Sequence, residues 1–155
     1  MKSPKLPLVL VICGLFGATI CAQSIEPIAH GVRNDLPRPY VTERDWGMLP
    51  DGTEAWAAVT AVEPSPDGDY IYVIHRCFEN SCENRPEPPI LKFDYAGNLV
   101  RAFGAGLFVF PHGATVDHEG NLWVADARGN DEIGHQVIKF DQEGEILMTL
   151  GQKGV

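Results

Sequence analysis

ILKFDYAGNLVRAFG (90–104) and VIKFDQEGEILMTLG (137–151) share one pattern, 47 residues apart. ILKFD matches VIKFD, Gly97 matches Gly144, and Gly104 matches Gly151. Upstream of each lies a second pair of matching stretches. VTAVEPSPDGDYIYVIHR (59–76) precedes the first copy and GATVDHEGNLWVADAR (113–128) precedes the second. Their turns, Asp67-Gly68 and Glu119-Gly120, are 52 residues apart, so the connecting loops differ in length between the two units.

Local patterns make these units β-structure. YIYVI (70–74) and LWVA (122–125) are short runs rich in β-branched and aromatic residues, which favour strands. Each follows an acidic-Gly or Gly-Asn turn of the hairpin kind. Two more strands flank Glu143-Gly144. Beyond residue 22 no stretch sustains a helical period. A repeat near 45 residues with several strands per unit is the mark of a β-propeller blade. The fold class is therefore all-β, with about two blades in 46–155. Propeller rings close at roughly four to eight blades, so the expectation is an incomplete propeller. Its remaining blades would lie downstream, or other copies of the chain would complete the ring.

Residues 1–22 differ from the rest. Lys2 and Lys5 precede the apolar run LPLVLVICGLFGATI (6–20), and small residues follow. This is the layout of a secretory signal peptide, with cleavage expected after Ala22. The run is short for a membrane span. Residues 23–45 read as an N-terminal extension. The chain carries 12 basic and 21 acidic residues; loss of Lys2 and Lys5 leaves 10 − 21 = −11. Such a charge argues against nucleic acid and anionic membranes as partners. A secreted or periplasmic protein with no membrane association after cleavage is expected. Cys77 and Cys82 would then meet an oxidising compartment, which favours a small-loop disulfide. A metal site would need further soft ligands, and none stands at zinc-finger spacing.

Three motifs in order carry a resemblance. GMLPDGTEAWAAVTAVEPSPDG (47–68) leads into YVIHR (72–76). FVFPHGATVDHEGNLWVADA (108–127) follows, then HQVIKFDQEGEILMTLG (135–151). The repeat resembles the NHL type, and the order of motifs is similar to the peptidyl-α-hydroxyglycine α-amidating lyase family over roughly 46–151. The resemblance implies a six-bladed propeller with a channel zinc held by three histidines and a structural calcium held largely by backbone carbonyls. It implies cleavage of a carbinolamide to an amide and glyoxylate, on a small-molecule or peptide substrate.

Residue by residue, the resemblance makes His112 a zinc ligand. It makes Arg76 the pocket arginine that stabilises developing negative charge, and the carbonyls of Val62 and Ala114 calcium contacts. The other zinc histidines and the general base have no counterpart in 155 residues, so this chain alone is expected neither to hold zinc tightly nor to be active.

Each of these residues also has a plainer reading. His112 could be a structural histidine. Arg76 could form a surface ion pair with Glu79, Glu83 or Glu87, worth under about 1 kcal/mol. His75, which alternates with Arg76, is expected to face away and serve the core or a hydrogen bond. His135 reads as structural and His118 as solvated. Asp94, Asp117, Asp126 and Asp141 recur at strand ends, where aspartate caps turns, and Trp123 reads as inter-blade packing. Beside the lyase stand a non-catalytic exported binding propeller and a lactonase-type hydrolase. The latter lacks its channel glutamate at any convincing position.

Overall fold

The computed structural model describes residues 37 and 39–153. The signal-like segment 1–22 and most of the 23–45 extension lie outside them. Eight strands form two four-stranded antiparallel meanders. The first holds β1 (Val59–Pro64), β2 (Tyr70–His75), β3 (Ile90–Asp94) and β4 (Leu99–Phe103). The second holds β5 (Pro111–Val116), β6 (Leu122–Asp126), β7 (Val137–Phe140) and β8 (Ile146–Leu150). There is no helix among the described residues. The two short runs read from sequence each extend one residue further, to His75 and Asp126.

The repeat persists in the pairing register. Ile74 faces Ile90 as Ala125 faces Val137, and Lys92 faces Arg101 as Lys139 faces Met148. Even the irregularities recur: the register slips between Val59 and Ala61 and again between Pro111 and Gly113. Thr60 and His112 are thus the unpaired residues of matching bulges. The matched turn glycines have a steric reason. Gly97 and Gly144 both sit at φ 83°, where a Cβ is strained. A Cβ on Gly144 would also meet Phe103 Cγ at 2.7 Å, so the β7–β8 turn needs glycine to lie against the first sheet.

Tyr72, Ile74 and Ile90 of the first sheet pack against Leu122, Val124, Ile138 and Phe140 of the second, with Phe108 of the connection between them. Burial of each such side chain contributes about 1.5–3 kcal/mol. Lys92 is buried there too, donating to the Gln142 carbonyl at 3.1 Å and lying over the Tyr70 ring. On the other face of the first sheet, Val73, Leu91 and Phe93 are covered by Trp46 and Trp56.

The two sheets are not equally covered. Tyr72, Ile74, Ile90 and Lys92 are buried, whereas their counterparts Trp123, Ala125, Val137 and Lys139 are only half-buried. Trp123, Ala125 and Val137 line a shallow, mostly apolar cavity of about 280 Å³ with Gly113, Ala114 and Thr115. Trp123 itself donates its indole N–H to Asp117 at 2.9 Å, and Lys139 lies over its ring.

Candidate functional site

His112 emerges from the bulge at the start of β5. A bulge re-aims the side chain of its extra residue, and here that side chain is exposed while Pro111 beside it is buried. Phe110 lies just upstream, with its ring centroid 6.4 Å from that of His112. Two guanidinium groups lie over the Phe110 ring: Arg76 at 3.4 Å from the centroid and Arg128 at 4.1 Å. Stacking on an aromatic face suits a planar, weakly hydrated cation.

The sequence folds this way because matching connections follow β2 and β6. Arg76 follows β2 directly and Arg128 follows β6 by one residue; the Arg76 and Ala127 backbone N–H groups reach Ala58 and Phe110 carbonyls in parallel fashion. Phe110 is held through its backbone by Asp126, whose two oxygens accept the Val109 and Phe110 N–H groups at 2.7 and 2.6 Å. The disulfide loop braces the same connection. Cys77 and Cys82 are joined, and the Cys82 N–H and Ser81 hydroxyl both donate to the Val109 carbonyl.

Arg76 does not pair with Glu79, Glu83 or Glu87. Its Nη1 donates to Asn80 Oδ1 at 2.7 Å, Glu87 is taken by Arg85 at 2.7 Å, and Glu83 accepts from Asn130. The Arg76 Nε is buried without a hydrogen-bond partner. Desolvation, and secondarily the charge of Arg128, lower the Arg76 pKa below its ordinary value.

His75 is fully buried, as its alternation with Arg76 predicts. It accepts from the Phe78 N–H at Nδ1 and reaches the Pro88 carbonyl through Nε2. Asp94, Asp117 and Asp141 accept N–H groups of their own turns. The Trp123 indole N–H, with Lys139 and Asn121 assisting, holds the Asp117 carboxyl well below the usual carboxylate range. Asp126 does more than that pattern: it accepts the Arg128 N–H of its own turn at 3.4 Å and also grips a connection 16 and 17 residues away. His118 is exposed, and His135 donates its backbone N–H to the Arg128 carbonyl.

Val62 and Ala114 occupy the same register position, facing Val73 and Val124 in the first strand pairing of each sheet. Among the described residues no three His, Cys, Asp or Glu side chains come together to hold a metal. A catalytic zinc takes three protein ligands and an open position. His112 alone is one donor, so the described residues by themselves do not fit that ion. A larger cavity, about 350 Å³, lies along 45–56 with Asp45 and Glu54 in its lining. None of Arg76, His112 or Arg128 lines it, and its carboxylates suit no anion.

Phe110 and Arg128 escape the reading of the sequence. A signal for Arg128 was present: HR closes one unit and DAR closes the next, so aligning the repeats places a basic residue after the second strand of both. Phe110 carries no such mark.

No protein-family model matches the chain. Among curated proteins it is 45% identical over 58 residues to the probable peptidyl-alpha-hydroxyglycine alpha-amidating lyase pgal-1 of Caenorhabditis elegans, covering 37% of this chain and 15% of that protein. It is 30% identical over 135 residues to peptidyl-alpha-hydroxyglycine alpha-amidating lyase 2 of Drosophila melanogaster, covering 76% of this chain and 31% of that protein. A solved luciferin-regenerating enzyme aligns with TM-score 0.41 and 25% identity over 61% of this chain and 30% of that one. The aligned region thus spans under a third of each of these proteins.

Proposed function

We propose that the two sheets are NHL-type blades of an exported β-propeller lyase of the peptidyl-α-hydroxyglycine amidating type. Its substrates are N-acyl-α-hydroxyglycines, and its products an amide and glyoxylate. The observation that carries the reading is the bulge that turns His112 outward beside the Arg76–Phe110 stack. The similarity to the named lyases supports it over most of the chain. The half-buried Trp123–Ala125–Val137 face supports the propeller, because the equivalent face of the first sheet is covered by a sheet. The blade count proposed is six.

In this reading Arg76 holds the substrate carboxylate or the negative charge that develops elsewhere on the substrate as its C–N bond breaks. A guanidinium stays charged and offers two parallel donors to a carboxylate. The stack on Phe110 fixes its plane before substrate arrives, which favours the transition state over the free groups. His112 is one of three zinc donors, with the other two outside the described residues. The carbonyls of Val62 and Ala114 face a calcium on the propeller axis.

The test is zinc content and glyoxylate release by the complete protein, with His112→Ala beside it. Stoichiometric zinc and glyoxylate release, both lost in the variant, are expected. Absence of zinc, or full activity in His112→Ala, overturns the lyase and leaves a non-catalytic binding propeller.

A further inference from the structure

The Arg76–Phe110 stack has a second cation that the lyase reading does not use. We propose that Arg128 is a second carboxylate-binding residue, which shares a small α-hydroxy carboxylate with Arg76 beside the Phe110 ring. This rests on the reading of that stack as the substrate pocket.

Two guanidinium groups over one ring repel each other, and the natural remedy in an acidic chain is a carboxylate. None is supplied. Among the described residues neither Arg76 nor Arg128 forms an ion pair, although acidic residues outnumber basic ones by 21 to 12. Three of the nearby acids are committed elsewhere, Glu83 to Asn130, Glu87 to Arg85 and Asp126 to backbone N–H groups, and Glu79 is exposed and pairs with neither arginine. The buried Arg76 Nε has no protein partner, and its Nη1 bonds only a neutral amide. A carboxylate has two oxygens and about four lone-pair sites, enough for donors from both forks.

Arg128 is also held in place. Its carbonyl accepts the His135 N–H at 3.0 Å, and Gly129 bridges to Gly134 just beyond it. Asn130 Oδ1 ties the tip through the Glu132 and Ile133 N–H groups. Gly134 sits at φ 97°, and a Cβ there would lie 2.2 Å from the Arg128 carbonyl oxygen. Only glycine lets the loop close this tightly. A root held this way limits the ordering that Arg128 must undergo when a ligand binds.

The experiment titrates glycolate, neutral glycolamide and inorganic phosphate into the complete protein by calorimetry, for wild type, Arg128→Gln and Arg128→Lys. Glycolate should bind wild type, bind Arg128→Gln about tenfold or more weakly, and bind Arg128→Lys at an intermediate level. Glycolamide should show no heat of binding, and phosphate should bind more weakly than glycolate. Arg128 is exposed, so the variants should keep the wild-type melting temperature. Equal glycolate affinity in Arg128→Gln, or equal binding of glycolamide or phosphate by wild type, overturns the assignment. Glyoxylate release from N-acetyl-α-hydroxyglycine is read separately. If release is absent while Arg128-dependent glycolate binding persists, the lyase reading fails and this assignment stands. If release proceeds in Arg128→Gln with unchanged KM, the assignment fails and the lyase reading stands.

Discussion

The Phe110 backbone N–H lies 2.6 Å from Oδ1 of Asp126, and the carboxylate's other oxygen takes Val109. One buried carboxylate thus fixes the connection that enters β5, and with it the ring that both arginines approach and the bulge that presents His112. The consequence for stability is direct. Asp126→Asn keeps the size but turns an amide NH2 toward a backbone N–H, so one buried donor loses its acceptor. Loss of about 2–3 kcal/mol is expected, read from urea midpoints. Glycolate binding should weaken with it, because Phe110 is no longer held. A loss below about 0.5 kcal/mol would mean that the connection is fixed by something else.

The Cys77–Cys82 bridge should stabilise modestly. It closes a loop of only a few residues, separation 5, and chain entropy at that length gives about 2 kcal/mol. The double variant Cys77→Ser/Cys82→Ser should lose about that much. Reductant should shift wild type by the same amount and leave the variant unmoved. If reductant has no effect on wild type, the bridge does not close in solution.

Legibility followed repetition. Matching ILKFD to VIKFD placed four of the eight strands and two turn glycines correctly, because strands and turns obey local rules that recur with the repeat. His75 was readable for the same reason: alternation along β2 turns it inward when Arg76 turns out. The long reach of Asp126 was not, because its two shortest bonds go to residues 16 and 17 away and its place at a strand end looks the same as that of Asp117. The Phe110 platform was not readable either. An aromatic before Pro111 reads as core, and only the approach of two separate loops makes it a floor for cations.

The half-buried Trp123–Ala125–Val137 face makes a sharp prediction about the ring. Ala125 is the counterpart of Ile74, which is fully buried between the sheets. If another blade covers this face in the complete protein, Ala125→Arg buries an unpaired charge and should cost more than about 3 kcal/mol. On an open face it would cost within about 0.5 kcal/mol. Thermal or urea unfolding of the complete protein distinguishes the two, and a neutral result removes the support this face gives the propeller.

His75 should make the protein acid-sensitive above the carboxylate range. Its ring is fully buried, with the Phe78 ring centroid 4.2 Å away and that of Trp56 5.7 Å away. The Phe78 N–H donates to Nδ1, so Nε2 carries the proton and donates to the Pro88 carbonyl at 3.0 Å. Burial pushes its pKa down to about 4 from the ordinary 6.5, against a smaller opposing effect of the Pro88 bond. Protonation would set a second N–H against that of Phe78. The unfolded chain takes up the proton near pH 6.5, while the folded chain resists until about pH 4. Between those values the unfolded state binds more protons, so stability falls as pH falls; above pH 6.5 it is intact. From pH 7 to pH 5 the loss should be about 2 kcal/mol, and it should be absent in His75→Gln, where no imidazole titrates. Comparing the two proteins cancels the carboxylates common to both. If the His75 ring titrates near 6.5 by NMR in the folded protein, or if His75→Gln shows the same slope, this histidine is not the source.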